Sequence, residues 1–558
     1  MSYTPDLAPL GSLWGSALVA TLPLLTVFLT LGVLRWKAYQ AGLAGLAVAL
    51  VVAIAAYGMP AKLAFLSASQ GAVYGLFPIV WIVFAAIMLY QVTVISGRFK
   101  DLAAVFDILS DDPRIQAMLI AFCFGGLLEA LAGFGAPVAI TGVMLVAAGF
   151  SALRAATVVL VANTAPVAFG AIAIPIITAG DLTKIPYQEI GAYVGHQTPV
   201  IAVFVPLFLL ILADGRRGVR DAWPIALVTG IAFAVAQWIC ASYVSVELTD
   251  IAASLVGLAA AVAFLRVWKP KGTAEATARL TAEREEERAK LPAEAQTVEA
   301  PNAEPVGRMT AGRLFMALFP YLLVIAVFSA AKLVKPLSDF LASTDLKIHW
   351  PGLDGHILTA AGKVSGTTIY KFQWLSSPGT LLILTMIVVA AVYRVAPGKV
   401  AKEMGKTAHQ LRFSALTIAA VLALAYVMNQ SGQTITIGSW AAGTGAAFAF
   451  LSPILGWLGT AVTGSDTSAN ALFATLQQTA AQKAGIDPTL LVAANTTGGV
   501  VGKLVSPQNL TIAATAVGLV GHESAILRRV IWWSLGMLAA LCLIVGLQST
   551  PVLSWMLP

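Results

Sequence analysis

Runs of about twenty apolar residues, separated by short polar turns, recur along most of this chain. The clearest occupy 11–34, 38–58, 73–95, 223–243 and 530–548, and each is long enough to cross a hydrocarbon core as a helix. Two further regions are apolar but interrupted. In the first, AGFGAPVAI is followed a helix later by VANTAPVAFGAIAIP; in the second, TGSDTSANAL is followed by AANTTGGVVGKLVSP. Gly133 and Gly464 stand 464 − 133 = 331 positions apart, and Asn163 and Asn495 stand 495 − 163 = 332 apart. A Gly- and Asn-rich interruption at matching places in two halves is the pattern of a transporter's substrate site. Non-helical backbone at this depth is tolerable only where protein or a water-filled cavity covers it.

Composition narrows the class. Of 558 residues, 11% are charged and 58% apolar, with a mean hydropathy of +0.84; a soluble domain carries roughly 25% charged residues. A water-soluble enzyme is therefore excluded. The pattern predicts an all-α polytopic membrane protein with about 12–14 spans. The net charge of +7 does not imply a nucleic-acid partner, because the basic residues sit in short loops between apolar runs. Cys123, Cys240 and Cys542 all fall in apolar segments, which favours core packing over disulfides. The first apolar run lacks a basic flank and is longer than a signal-peptide core, so it is expected to remain as an uncleaved first helix.

Loop charges set the orientation. Arg35 and Lys37 follow the first run and no Lys or Arg precedes it, so the N-terminus is expected outside. Cytoplasmic loops then fall at 98–114, at Arg216, Arg217 and Arg220, at 269–312, at 394–412, and at Arg528 and Arg529; the tail after 549 is expected outside. Carried across the repeat offset, 73–95 and 412–428 run in opposite directions, as do 38–58 with 378–395 and 196–212 with 530–548. The repeat is thus predicted to be inverted.

The pieces 115–132 and 136–150 are read as a re-entrant hairpin from the cytoplasm, tipped by Gly133-Phe134-Gly135-Ala136-Pro137; two full-length helices are the alternative. The piece 154–178 is read as a helix broken at Asn163-Thr164-Ala165-Pro166. In the second half a hairpin from outside is tipped by Thr463-Gly464-Ser465-Asp466-Thr467-Ser468. A helix broken at Asn495-Thr496-Thr497-Gly498-Gly499 follows. The chain divides into a first membrane repeat (1–213), connecting transmembrane helices (214–268), a charged cytoplasmic linker (269–312) and a second repeat (313–558). The linker is expected to be helical at most in its middle and to carry no chemistry. An external loop at 335–377 is long enough for a small cap.

Several side chains in the interruptions carry candidate chemistry. Lys503 lies in an apolar setting where a lysine costs roughly 2.5–3.5 kcal/mol, so it needs a partner or a job. Binding a substrate carboxylate is the functional reading; snorkelling or a permanent ion pair is the plain one. Asp466 and Glu129 are the conspicuous acids, and an intramembrane carboxylate can take a proton on one side and release it on the other. The plain role for Asp466 is a helix N-cap, and for Glu129 an ion pair with a Lys or Arg; an Asp466–Lys503 pair would suit either account. Asn163, Thr164, Asn495 and Thr496, with Ser465 and Ser468, supply amides and hydroxyls for an anion beside half-helix N-termini. Alternatively they merely satisfy freed backbone groups. Gly135, like Gly133, Gly464, Gly498 and Gly499, allows a sharp turn or a ligand's close approach, or simply close helix packing. His196 and Arg154 default to structural and anchoring roles. No metal cluster, nucleotide loop or nucleophile–base set is visible, so no cofactor is expected and an ion or proton gradient must supply the drive.

The segments EALAGFGAPVAITG, VANTAPVAFGA, TGSDTSANALF and AANTTGGVVGKLVSPQNL resemble the bacterial L-lactate permease family, which includes glycolate permeases, and the resemblance extends over nearly the whole chain. It implies proton symport of L-lactate, D-lactate or glycolate across the cytoplasmic membrane. Lys503 would be the cation for the substrate carboxylate and a titratable carboxylate would couple the proton. The paired hairpins and Asn-Thr breaks also resemble the wider ion-transporter superfamily, whose members are often elevator-type dimers. A sodium-coupled carboxylate transporter is the nearest alternative, since broken-helix carbonyls and hydroxyls also make sodium sites.

Overall fold

Apolar stretches with Ser, Thr or Asp at their starts become capped helices: Ser12, Asp112, Thr310, Ser465, Asp487 and Ser506 each accept a backbone N–H of the first turn. The computed structural model describes residues 2–34, 36–99, 101, 109–133, 135–290, 310–358, 364–519 and 522–558. Among them, nine helices are long and apolar enough to cross a membrane, or ten when one bent pair is counted as a span. This is fewer than the hydropathy pattern suggests, for two reasons. Thr249–Leu265 and Pro378–Val392 are apolar but short, and Tyr187–Val244 counts once although its backbone leaves the helical region at Asp214 and Gly215. The chain is an all-α, multi-pass membrane protein. The described strands are Leu346–His349 and Ile369–Phe372, an antiparallel pair within 335–377. Residues 359–363 of that loop lie outside the described residues.

Each predicted hairpin region folds as two helices joined at the expected tip. The first has arms Pro113–Leu131 and Ala136–Ala147 joined through Gly133 and a left-handed Gly135 (φ +89°); Phe134 of its tip lies outside the described residues. The second joins Phe448–Thr463 to Asp466–Ala484 through a left-handed Gly464 (φ +76°). The first broken helix is broken where expected. Ala152–Ala162 ends at Asn163, and the chain resumes at Val167–Thr183 bent by 65°. After Gly170 the backbone also makes a left-handed turn at Ala171, Ile172 and Ala173 (φ 46°, 59° and 57°), which nothing in the sequence announces.

The second break is displaced from its expected place. Pro488–Gly502 runs unbroken through Asn495-Thr496-Thr497-Gly498-Gly499 and gives way only at Lys503–Val505. Its glycines serve packing instead of turning. A side chain at Gly498 would strike the Pro453 carbonyl, and one at Gly502 the Trp457 carbonyl, on the neighbouring hairpin arm. The helix stops where Pro507 holds Ser506 extended.

The halves pack reciprocally. Ala136–Ala147 lies against Pro507–Val517, and Gly170–Thr183 lies against Asp466–Ala484, so each hairpin's second arm meets the far half of the other repeat's broken helix. Gly135 is pressed onto Ile512 in the first contact. In the second, Asn470 Nδ2 donates to the Pro175 carbonyl at 3.0 Å.

The linker is more ordered than its composition suggests. Thr273–Lys290 is a helix with Ala276 and Leu280 buried; residues 291–309 and the side chains at 287–290 lie outside the description. Its Arg279 forks onto Asp214, with Nε at 3.0 Å from Oδ1, Glu283 pairs with Arg154, and Thr273 Oγ1 donates to Asp112 at 2.9 Å. Beneath it a fully buried Arg114 chelates Asp112 at 3.0 and 2.7 Å and donates to the Lys271 carbonyl at 2.6 Å. The linker helix therefore clasps the roots of the first hairpin and the first broken helix.

Candidate functional site

Glu129 sits one turn before the tip of the first hairpin, with Gly170 of the broken helix opposite. A Cβ at Gly170 would lie 2.9 Å from Glu129 Oε1 and 3.1 Å from its Cγ, so the bare backbone there makes room for the carboxylate. Lys503 Nζ donates to Glu129 Oε1 at 2.6 Å, and Asn163 Nδ2 donates to Oε2 at 2.9 Å. Glu129 and Lys503 are 2% and 7% exposed. One carboxylate thereby joins the first hairpin, the first break and the second break, 374 positions apart in sequence at its widest. A buried pair of this kind is costly to break from either side, roughly 3–5 kcal/mol, because the survivor is left as an uncompensated charge.

The pair borders a small cavity of about 40 Å³. Gly133 and Glu129 come from the first hairpin, Gly464, Ser465 and Asp466 from the second, and Pro175 from the broken helix. Asp466 is 4% exposed, and among the described residues neither of its oxygens has a hydrogen-bond partner. Thr460 Oγ1 is likewise unpartnered. Both groups crowd Gly499, where an added Cβ would collide with Asp466 Oδ1 and lie 2.7 Å from Thr460 Oγ1. The helix cap is Ser465, whose hydroxyl accepts from Ser468 N at 3.3 Å, so Asp466 is not used as the cap. Nor does it pair with Lys503, which reaches across to Glu129.

The other sequence candidates divide. Asn163 and Thr164 flank a closely packed seam that also touches Lys503 and Asn509, with the Thr164 hydroxyl given to the Val161 carbonyl at 2.7 Å. Asn495 and Thr496 do not line the cavity. They are engaged by Asn470, at 2.9 Å from Asn495 Nδ2 and 3.0 Å from Thr496 Oγ1, and by Gln477, at 3.3 Å from Asn495 Oδ1. Gly135 turns the first tip but faces Ile512. Ser468 opens instead onto a separate cleft of about 240 Å³ that it shares with Ser465, Lys37 and Gln508. His196 is held by the Ala192 carbonyl at 2.7 Å and the Trp238 indole N–H at 2.9 Å, a structural setting. Arg154 anchors the linker helix.

Two acids escaped the reading of the sequence because they lie outside the repeated motifs. Asp250 is wholly buried beside the first break, and the half-buried Asp181, at the end of the broken helix, accepts from the Tyr74 hydroxyl. An Asp within an otherwise apolar run is the signal that would have found both.

The L-lactate permease family model matches residues 16–552. The L-lactate permease of Bacillus subtilis is 42% identical over 100% of both chains. The glycolate permease GlcA of Escherichia coli is 41% identical over 98% of both, and the L-lactate permease of the same organism 40% identical over 99% of this chain and 98% of its own. Among solved structures, Neisseria gonorrhoeae MtrF, titled an antimetabolite efflux pump, is 15% identical with a TM-score of 0.30, covering 82% of this chain and 84% of its own. The Alcanivorax borkumensis YdaH transporter is 14% identical with a TM-score of 0.28, covering 75% and 86%. On the family match and the full-length relatives, the chain belongs to the L-lactate permease family.

Proposed function

We propose that this permease carries small 2-hydroxymonocarboxylates, L-lactate with D-lactate and glycolate, across the cytoplasmic membrane together with protons. The observation that carries the reading is the Lys503–Glu129 pair on the wall of a cavity that also holds an unpartnered Asp466. A carboxylate entering that cavity needs a cation. Among the described residues lining it, Lys503 is the cation, and it is already held. A proton on Glu129 removes the competing charge and frees Lys503 Nζ for the substrate carboxylate, with Ser465 on the same cavity wall to hydrogen-bond the 2-hydroxyl. Loss of that proton on the other side restores the pair and expels the anion, so proton and substrate binding favour one another. An ionised Asp466 would repel the incoming anion, and it is the second group whose proton accompanies the substrate.

The reciprocal packing of hairpins and broken helices supports reading the halves as inverted repeats. On that reading the hairpins enter from opposite faces and both termini lie outside. The resemblance to elevator-type transporters makes a homodimer the assembly to test.

The decisive experiment is labelled L-lactate uptake into proteoliposomes under an inward pH gradient without sodium. Accumulation that a protonophore collapses is the expected result. Uptake that follows sodium at fixed pH would replace this coupling with the sodium one.

A further inference from the structure

Behind the cavity, on the side of the first break, lies a buried polar group that the proposed cycle does not use. Asp250 opens the helix Thr249–Leu265 and is 0% exposed. Its Oδ1 accepts from Gln237 Nε2 at a long 3.4 Å, while Oδ2 has no partner among the described residues. Gln237 is itself committed to the break, since the same Nε2 donates to the Ala165 carbonyl at 3.0 Å. One turn beyond Asp250, the hydroxyl of Ser254 is also buried without a partner. It abuts Gly126, where an added Cβ would lie 2.6 Å from Ser254 Oγ, and Gly126 precedes Glu129 by one turn. Unpartnered polar atoms thus run from Asp250 to the backbone that carries Glu129.

Electrostatically, Asp250 belongs to the same cluster. Glu129 and Lys503 both act on it, and Lys503 also acts on Asp466. The segments packed against the Asp250 helix are Val205–Ile239, Gly125–Ala132, Leu119–Phe124 and Cys240–Val244. Their titratable groups, apart from the far end of Val205–Ile239, are Glu129, the thiols of Cys123 and Cys240, and the exposed Tyr243. The charged residues of Val205–Ile239 end at Asp221, about 24 Å along the helix from Gln237. Three buried carboxylates therefore share a single ammonium. With all three ionised the cluster would carry two uncompensated negative charges before any substrate anion arrived, which a low-dielectric interior does not tolerate.

We infer that Asp250 is a further proton-binding carboxylate of the transport cycle, taking up one proton with each substrate anion in addition to those held at the cavity. The proton adds to Asp250 Oδ2 and leaves from the same atom on the opposite face, with no other bond made or broken. This inference rests on the proton-coupled reading above, and the test separates the two.

The measurement is the static-head accumulation of L-lactate in proteoliposomes, a ratio that does not depend on how fast each variant turns over. Removing one proton per cycle by Asp250→Asn lowers that ratio about tenfold for each unit of imposed pH gradient. Each 100 mV of inside-negative potential lowers it a further roughly fortyfold. The same ratio in the variant and the wild type overturns the assignment. Wild-type protein that exchanges no lactate sinks the functional reading itself. Should Asp250→Asn carry nothing, calorimetric titration with lactate in buffers of different ionisation enthalpy counts the protons taken up on binding in detergent. One proton fewer in the variant upholds the inference, and an unchanged count overturns it; Asp250→Glu restores the wild-type count if titration is what matters.

Discussion

The two interrupted segments share a matching proline but differ in where the helix breaks and in the chemistry they carry. Carried across the repeat offset of 332, Pro507 falls on Pro175 and Lys503 falls on Ala171, the first residue of the left-handed turn. The first copy leaves the helix at Asn163 and turns left-handed at Ala171, Ile172 and Ala173 before Pro175, whereas the second stays helical to Gly502 and gives way at Lys503–Val505 before Pro507. At the matched position one copy presents a methyl group and the other an ammonium. The hairpins differ in the same manner. With the offset of 331, Glu129 falls on Thr460 and Asp466 falls on Gly135, so each copy has an acid where its twin has a small or neutral residue. Both sequence-related regions line the cavity, while the charges they bring to it differ. A symmetric pair of lysines would hold an anion from both sides and release it reluctantly; a single lysine held by a single glutamate leaves one switchable contact.

The sharpest way to break that comparison is to remove the one cation. Lys503→Ala is expected to abolish lactate binding, measured by titration of the purified protein, and to cost about 3–5 kcal/mol of stability through the orphaned Glu129. Retained affinity would strip Lys503 of its role. Next in size is Glu129→Gln, which leaves the lysine without its competitor. Counterflow of labelled lactate should continue, whereas a pH gradient should no longer raise internal lactate above equilibrium; normal accumulation would move coupling to the other acids. Gly499→Ala tests the second hairpin's acid alone, since the new methyl must displace Asp466 and Thr460. A loss of about 1–3 kcal/mol in stability is expected, read from the thermal midpoint. The smallest effect is expected at the linker. Arg279→Ala removes a third-exposed contact to Asp214 and should shift stability by at most about 1 kcal/mol, yet slow uptake measurably if the clasp steadies the first hairpin.

The existence of the interruptions was legible in the sequence because Gly, Asn and Pro stand out inside apolar runs and recur at a fixed spacing. Their tips at Gly133 and Gly464 and the break at Asn163 follow directly. What composition could not reveal is what each small residue is for. Gly498 and Gly502 look like helix breakers, but they admit the carbonyls of Pro453 and Trp457 and keep the helix whole. Asn495 and Thr496 look like ligand donors, but their partners, Asn470 and Gln477, become neighbours only on folding. The identity of Lys503's partner was hidden for the same reason, being a matter of which helix faces which.

The ion pair that joins the halves also has a consequence for how the protein is made. Its two members are 374 residues apart, and at about 5–20 residues per second the ribosome needs roughly 20–75 s to pass from one to the other. Throughout that interval the first half waits in the membrane with a finished hairpin and a glutamate that has no cation. Its second arm still lacks Pro507–Val517 to lie against. The nascent first half is therefore incomplete at its own centre until Lys503 has been made.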